Sequence, residues 1–149
     1  MIRAATLVAV LLGAAVQAEF TKLSGYDTSY ETTVAGADDV DIFVKKGDKV
    51  KVHATGIVEQ SGKKFWSTKD PGQQPFEYQA GVGGVITGWD QGCLGMKLGE
   101  TRKLRIPADE GYGAGGFPAW GIPPGGTLLF ESAPRTANAG QPLEPPAPC

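Results

Sequence analysis

A β-rich domain carrying one short helix is the fold this sequence predicts, on three observations. Two segments alternate apolar and polar side chains at the two-residue period of a half-buried strand: Lys49-Val50-Lys51-Val52-His53-Ala54-Thr55 and Thr101-Arg102-Lys103-Leu104-Arg105-Ile106. The 22 glycines and 11 prolines among 149 residues punctuate short apolar runs and form no repeat, as in a chain that turns often. Between the two strands, apolar residues at 85, 86, 89, 93 and 94 recur at helical spacing.

Taken in order, the elements begin after a leader. Arg3 supplies a positive start, 4–16 is an apolar run, and Val16-Gln17-Ala18 ends in a small residue suited to cleavage. Residues 1–18 read as a signal peptide, because the run is shorter than the roughly 20 residues of a spanning helix. The C-terminal Pro146-Ala147-Pro148-Cys149 is not a retention signal. A secretory-pathway location follows as the expectation, either the endoplasmic reticulum lumen or outside the cell, with no membrane contact after cleavage. Residues 19–44 form an N-terminal extension whose β-branched Thr32-Thr33-Val34 marks a first strand. Lys46-Gly47-Asp48 is a turn, after which Val50, Val52 and Ala54 should face inward. Ser61-Gly62 turns the chain toward Lys64-Phe65-Trp66, Lys69-Asp70-Pro71-Gly72 turns it again, and Phe76 and Tyr78 should share a face. Glycines inside the predicted helix cost about 1 kcal/mol each against alanine, so packing must hold it. Leu104 and Ile106 should point inward, and a glycine- and proline-rich loop over 107–126 precedes Thr127-Leu128-Leu129-Phe130. Pro134 removes a ladder donor, so the last strand is expected to end by residue 132, leaving 133–149 as a disordered proline-rich tail.

Composition excludes several functions. With 14 basic and 16 acidic residues and a formal net charge of −2, the chain has no basic footprint for nucleic acid. His53 is the single histidine and lies on the outward side of a predicted strand, so no nucleophile–histidine machine is expected. No cluster has metal-ligand spacing and no glycine run ends as a phosphate loop does, so neither metal nor cofactor is expected. Of the two cysteines, Cys93 and Cys149, the first lies in an apolar segment. A buried free thiol at Cys93 is the favoured reading, with a bridge to Cys149 the alternative in an oxidising compartment.

What remains is a set of aromatic residues beside turns: Phe65, Phe76, Tyr78, Trp89, Tyr112, Phe117, Trp120 and Phe130. Their flanking runs are Val52-His53-Ala54-Thr55-Gly56, Gly62-Lys63-Lys64-Phe65, Pro75-Phe76, Val85-Ile86-Thr87-Gly88-Trp89, Met96-Lys97-Leu98-Gly99-Glu100, Gly111-Tyr112-Gly113, Ile122-Pro123-Pro124 and Thr127-Leu128-Leu129-Phe130. In order and spacing this set resembles the FKBP-type peptidyl-prolyl cis-trans isomerases, over about residues 45–132.

The resemblance implies an α+β fold, a twisted antiparallel sheet of about five strands wrapped on one short helix. It implies a proline ring over the Trp89 indole, with walls from Phe76, Val85, Ile86 and Phe130. Tyr112 matches a tyrosine whose hydroxyl bonds a ligand carbonyl, and the Ile86 N–H would serve a second one. Phe65 matches a further aromatic wall and Ile122 a residue at the loop's return. Two substrate-contact positions depart from the family: Ala54 stands where an aromatic is usual, and Trp66 where an aspartate is usual. The loop is one residue longer, with Trp120 added. The activity implied is rotation of X-Pro bonds in folding secretory-pathway proteins, by a monomer whose partners are proline-containing polypeptides and macrolide immunosuppressants. The alternative is a proline-binding or chaperone module that keeps the cleft with little catalysis.

Overall fold

The computed structural model describes residues 19–137, apart from Ala37 and Val40. The expected signal peptide, the tail beyond 137 and Cys149 lie outside the described residues. Among the described residues, seven strands form one antiparallel sheet: β1 (Thr21–Lys22), β2 (Ser29–Val34), β3 (Lys49–Val58), β4 (Lys64–Ser67), β5 (Phe76–Gln79), β6 (Thr101–Ile106) and β7 (Leu128–Ala137). The order across the sheet is β1-β2-β6-β7-β3-β4, with β5 also paired to β3. Strands β5 and β4 share one edge of β3, opposite Lys49–Val52 and Thr55–Ile57 respectively. The sheet is therefore six rows wide: the five that the family resemblance implies, the outer one broken into β4 and β5, and the short β1 beyond β2.

The alternating patterns fold as their period dictates. Val50, Val52 and Ala54 on β3, and Leu104 and Ile106 on β6, are buried. The same alternation turns Arg102 inward, and the charge is compensated there. Its Nε and Nη2 each lie 2.9 Å from Glu100 Oε1, its Nη1 donates to the Gly92 carbonyl at 3.0 Å, and its guanidinium lies 4.3 Å from the Tyr30 ring centroid.

One helix, α1 (Thr87–Gly92), packs against β6. Its glycines do more than weaken it. A Cβ on Gly88 would lie 2.5 Å from Ile106 Cγ2 and Thr28 Oγ1, and one on Gly92 2.7 Å from Leu104 Cδ2. The helix touches the sheet with bare backbone, and Arg102 caps its last carbonyl. Gly92→Ala should therefore destabilise the protein by about 1–3 kcal/mol through overpacking, despite alanine's better helix propensity. Chemical denaturation reads the difference.

The last strand corrects the sequence reading. It runs through Pro134 to Ala137, past the end expected at residue 132. Strand β7 pairs with β6 over Leu128–Ser132 alone, so from Ala133 onward it has a ladder partner on one side, at β3. The register also slips between Pro134, opposite Val52, and Thr136, opposite Lys51. A strand edge beside a bulge is where the ladder tolerates a missing N–H. At the other margin, the N-terminal extension contributes β2, whose Ser29–Val34 runs alongside β6.

Candidate functional site

A cavity of about 480 Å³ opens between the start of α1, strands β4 and β5, and the loop after β6. Its lining is Trp66, Phe76, Gly83, Gly84, Val85, Ile86, Trp89, Tyr112, Trp120 and Phe130, with no charged side chain among them. The volume lies within the range of small-molecule sites.

Trp89 forms the base. It is 4% exposed, as is Phe130, and their rings meet edge to face at 4.7 Å and 84°. Phe76 stands at 6.1 Å and 88° to the indole, and Trp66 at 6.3 Å and 65°. These perpendicular contacts suit aromatic quadrupoles and hold each ring against its neighbours. Beneath them, the Tyr78 hydroxyl is buried beside Trp89 Nε1 and the Cys93 thiol. Burial pushes the Cys93 thiol up to about 11 and raises Tyr78 above the usual tyrosine range, so both stay neutral. Cys93 is buried and, among the described residues, forms no disulfide; its Sγ lies 3.9 Å from Ser132 Oγ.

Two donors border the cleft. Partial burial raises the Tyr112 hydroxyl above its ordinary value, which keeps its proton available to an acceptor. Ile86 occupies the N-cap position of α1, where helix N–H groups have no helical partner. Its carbonyl accepts from Asp90 N–H at 3.0 Å, while its own N–H makes no backbone hydrogen bond within the described residues.

The loop leading to Ile86 is held by a residue the sequence reading missed. Asp90 is 2% exposed, and its carboxylate accepts from Gly81 N–H at 2.7 Å and from Gly83 N–H at 2.9 Å. Gly83 adopts φ +77°, a conformation that favours glycine. An acidic residue inside a short apolar helix was the available signal, but its partners come from outside the helix.

Of the sequence-predicted site residues, Trp66, Phe76, Val85, Ile86, Trp89, Tyr112 and Phe130 meet in the cleft. Phe65, Ala54 and Ile122 do not line it. Phe65 sits behind, edge-on to Phe130 at 5.6 Å and stacked on Trp120 at 6.3 Å. Ala54 is buried in the inward row of β3, with its N–H bonded to Thr68 Oγ1 at 3.0 Å. Ile122 is also buried, and its backbone exchanges hydrogen bonds of 2.9 and 3.1 Å with Phe117, closing the loop. The lining gains Gly83, Gly84 and Trp120 instead. Trp120 is 45% exposed on a 3-10 turn, Pro118–Trp120. His53 contacts Thr68 Oγ1 at 3.0 Å on the far face of the sheet, and desolvation with nearby Arg135 and Lys69 lowers it, which favours the neutral ring.

An antiparallel sheet over one short helix, with an uncharged aromatic cleft at the helix start, defines a class. The family model for FKBP-type peptidyl-prolyl cis-trans isomerases matches residues 40–132, and the chain belongs to that family. Among its relatives, peptidyl-prolyl cis-trans isomerase FKBP12 of Vicia faba is 57% identical over 88 residues, covering 58% of this chain and 79% of that protein. FK506-binding protein 1 of Debaryomyces hansenii is 51% identical over 89 residues, covering 60% and 77%. The crystal structure of AtFKBP13 superposes with a TM-score of 0.67 at 32% identity, covering 78% of this chain and 96% of that one.

Proposed function

We propose that this cleft receives the proline of an X-Pro peptide and catalyses rotation about the bond before it, in polypeptides of the secretory pathway. The observation that carries the proposal is the Trp89 base enclosed by Phe76 and Phe130, with the Ile86 N–H and the Tyr112 hydroxyl at its border. The proline ring rests on the indole between the walls. Tyr112 and the Ile86 N–H donate to the substrate carbonyls on either side.

Nothing covalent changes in this reaction. A planar amide is polar through resonance, with a rotation barrier of roughly 18–20 kcal/mol, and twisting it removes part of that charge separation. A lining without charge disfavours the planar, more polar ground state relative to the twisted one. Lowering the barrier by about 4 kcal/mol gives about a thousandfold. No acid, base or metal is required, in keeping with neutral Tyr112 and His53. The secretory assignment rests on the leader-like 1–18. A macrolide is a second ligand class for the same cleft, by analogy with the relative named for FK506 binding.

Exchange NMR on a short X-Pro peptide tests the activity. Accelerated exchange is expected, and Tyr112→Phe should lower kcat/KM about tenfold through one lost hydrogen bond. Peptide binding without acceleration would instead establish a proline-binding module.

A further inference from the structure

A carboxylate outside the cleft connects its two sides. Glu110 ends the 3-10 turn Ala108–Glu110, two residues before Tyr112. Its oxygens accept from Asp27 N–H at 2.6 Å, from Thr28 N–H at 2.8 Å and from the Thr28 hydroxyl. The N-terminal turn that presents these donors is closed by Leu23 N–H on the Thr28 carbonyl at 2.9 Å. Thr28 is fully buried, and its Oγ1 lies 2.5 Å from where a Cβ on Gly88 would stand. Gly88 precedes Trp89. A continuous path therefore runs from the Tyr112 loop through Glu110 and Thr28 to the helix that carries the indole.

Three donors on one carboxylate favour its ionised form. Burial works against the charge at Glu110, but the hydrogen bonds from the Thr28 hydroxyl and from the Asp27 and Thr28 N–H groups outweigh it and hold the carboxyl below its ordinary value. The charged groups facing it are the Asp27 carboxylate, which opposes its ionisation, and Lys22, which pairs with Asp27 at 2.7 Å. A folded-state value below the unfolded one means that the stabilisation is complete above the ordinary carboxylate range and is lost as pH falls through the folded value.

We propose that Glu110 is a positioning residue for the isomerase reaction, holding Tyr112 at its working distance from Trp89 through Thr28 and so making the N-terminal segment part of the site's framework. The proposal rests on the cleft being the isomerase site. Because X-Pro rotation moves no proton, the part of an acid limb that Glu110→Gln removes reports this link, as distinct from the chemistry and from the Asp90 anchor.

The test compares wild type with Glu110→Gln, Thr28→Val and Thr28→Ser, with melting curves recorded at each pH. Exchange NMR with a short X-Pro peptide is run from about pH 7.5 to about pH 3.5, spanning the ordinary carboxylate range. Intrinsic fluorescence is followed over the same range, since all three tryptophans line the cleft. At neutral pH, Glu110→Gln should raise KM about tenfold, the scale of a lost charged hydrogen bond. It should also flatten the acid limb of kcat/KM. Thr28→Val should show a smaller rise, and Thr28→Ser, which keeps the hydroxyl, should match wild type. Wild-type KM in both Glu110→Gln and Thr28→Val overturns the proposal. If wild type does not accelerate exchange, the reading of the cleft fails and fluorescence decides the link alone. An acid transition present in wild type and absent from Glu110→Gln supports it, and identical traces refute it. Should Glu110→Gln not fold, Thr28→Val in the same two measurements decides.

Discussion

Replacing Trp89 with alanine is expected to lower kcat/KM for X-Pro exchange by at least about a hundredfold, equivalent to about 2.7 kcal/mol of transition-state stabilisation. The indole touches Phe76, Trp66 and Phe130 by ring edges and forms the base on which the proposed proline rests. Its loss widens the cleft and frees the neighbouring rings, so the substrate no longer meets a fixed surface. Trp89 is also nearly buried, and truncating a buried tryptophan costs about 3–5 kcal/mol of folding stability. The two effects must be separated. Trp89→Leu retains an apolar side chain and should lose less stability while still losing most activity. Denaturant melts alongside exchange NMR distinguish them: Trp89→Leu with wild-type rates would remove the indole from the proposed mechanism.

Asp90→Ala carries the second large effect. Asp90 sits in the turn of helix that holds Trp89, yet its carboxylate serves the preceding loop through Gly81 and Gly83. Removing it leaves two backbone donors without their acceptor, and hydrogen bonds to a charged group contribute about 1.5–3 kcal/mol each. A stability loss of about 3 kcal/mol or more is expected by chemical denaturation. The loop it anchors leads directly to Val85 and Ile86, so KM for peptide should rise as well. Amide hydrogen exchange at 81–86 checks the cause, because faster exchange confined to this loop is the signature of a lost anchor. Unchanged protection there would show that the carboxylate does not order the loop.

How far the site could be read from the sequence depends on how local each cause is. Phe76, Trp89, Tyr112 and Phe130 stand in short ordered runs, Trp66 stands where the family usually has an aspartate, and the cleft assembles all five. Ile122 and Ala54 stand in equally recognisable runs but end up behind the lining. Ile122 is turned under the loop by its backbone pairing with Phe117, and Ala54 falls on the inward row of β3. The burial of Ile122 depends on a partner that the folded loop supplies, whereas that of Ala54 follows from the strand period, which the family resemblance alone did not weigh. Trp120 was visible as an added aromatic, but its place in the lining needed the 3-10 turn Pro118–Trp120 and the stack on Phe65.

By itself, the sequence determined the elements whose cause is local: the alternating strands β3 and β6, the turns, the short apolar helix and the family to which the chain belongs. Side-chain periodicity acts over neighbouring residues, so it is written in the chain. The tertiary structure alone decided the continuation of β7 past Pro134, the close seating of α1 on Gly88 and Gly92, and the carboxylate links from Asp90 and Glu110. Each of these depends on a partner that folding brings near: β3 alongside β7, Ile106 and Leu104 under the helix, and the Thr28 turn 82 residues from Glu110. Burial there makes contact distance and hydrogen-bond satisfaction outweigh the local preferences of proline, glycine and acidic side chains.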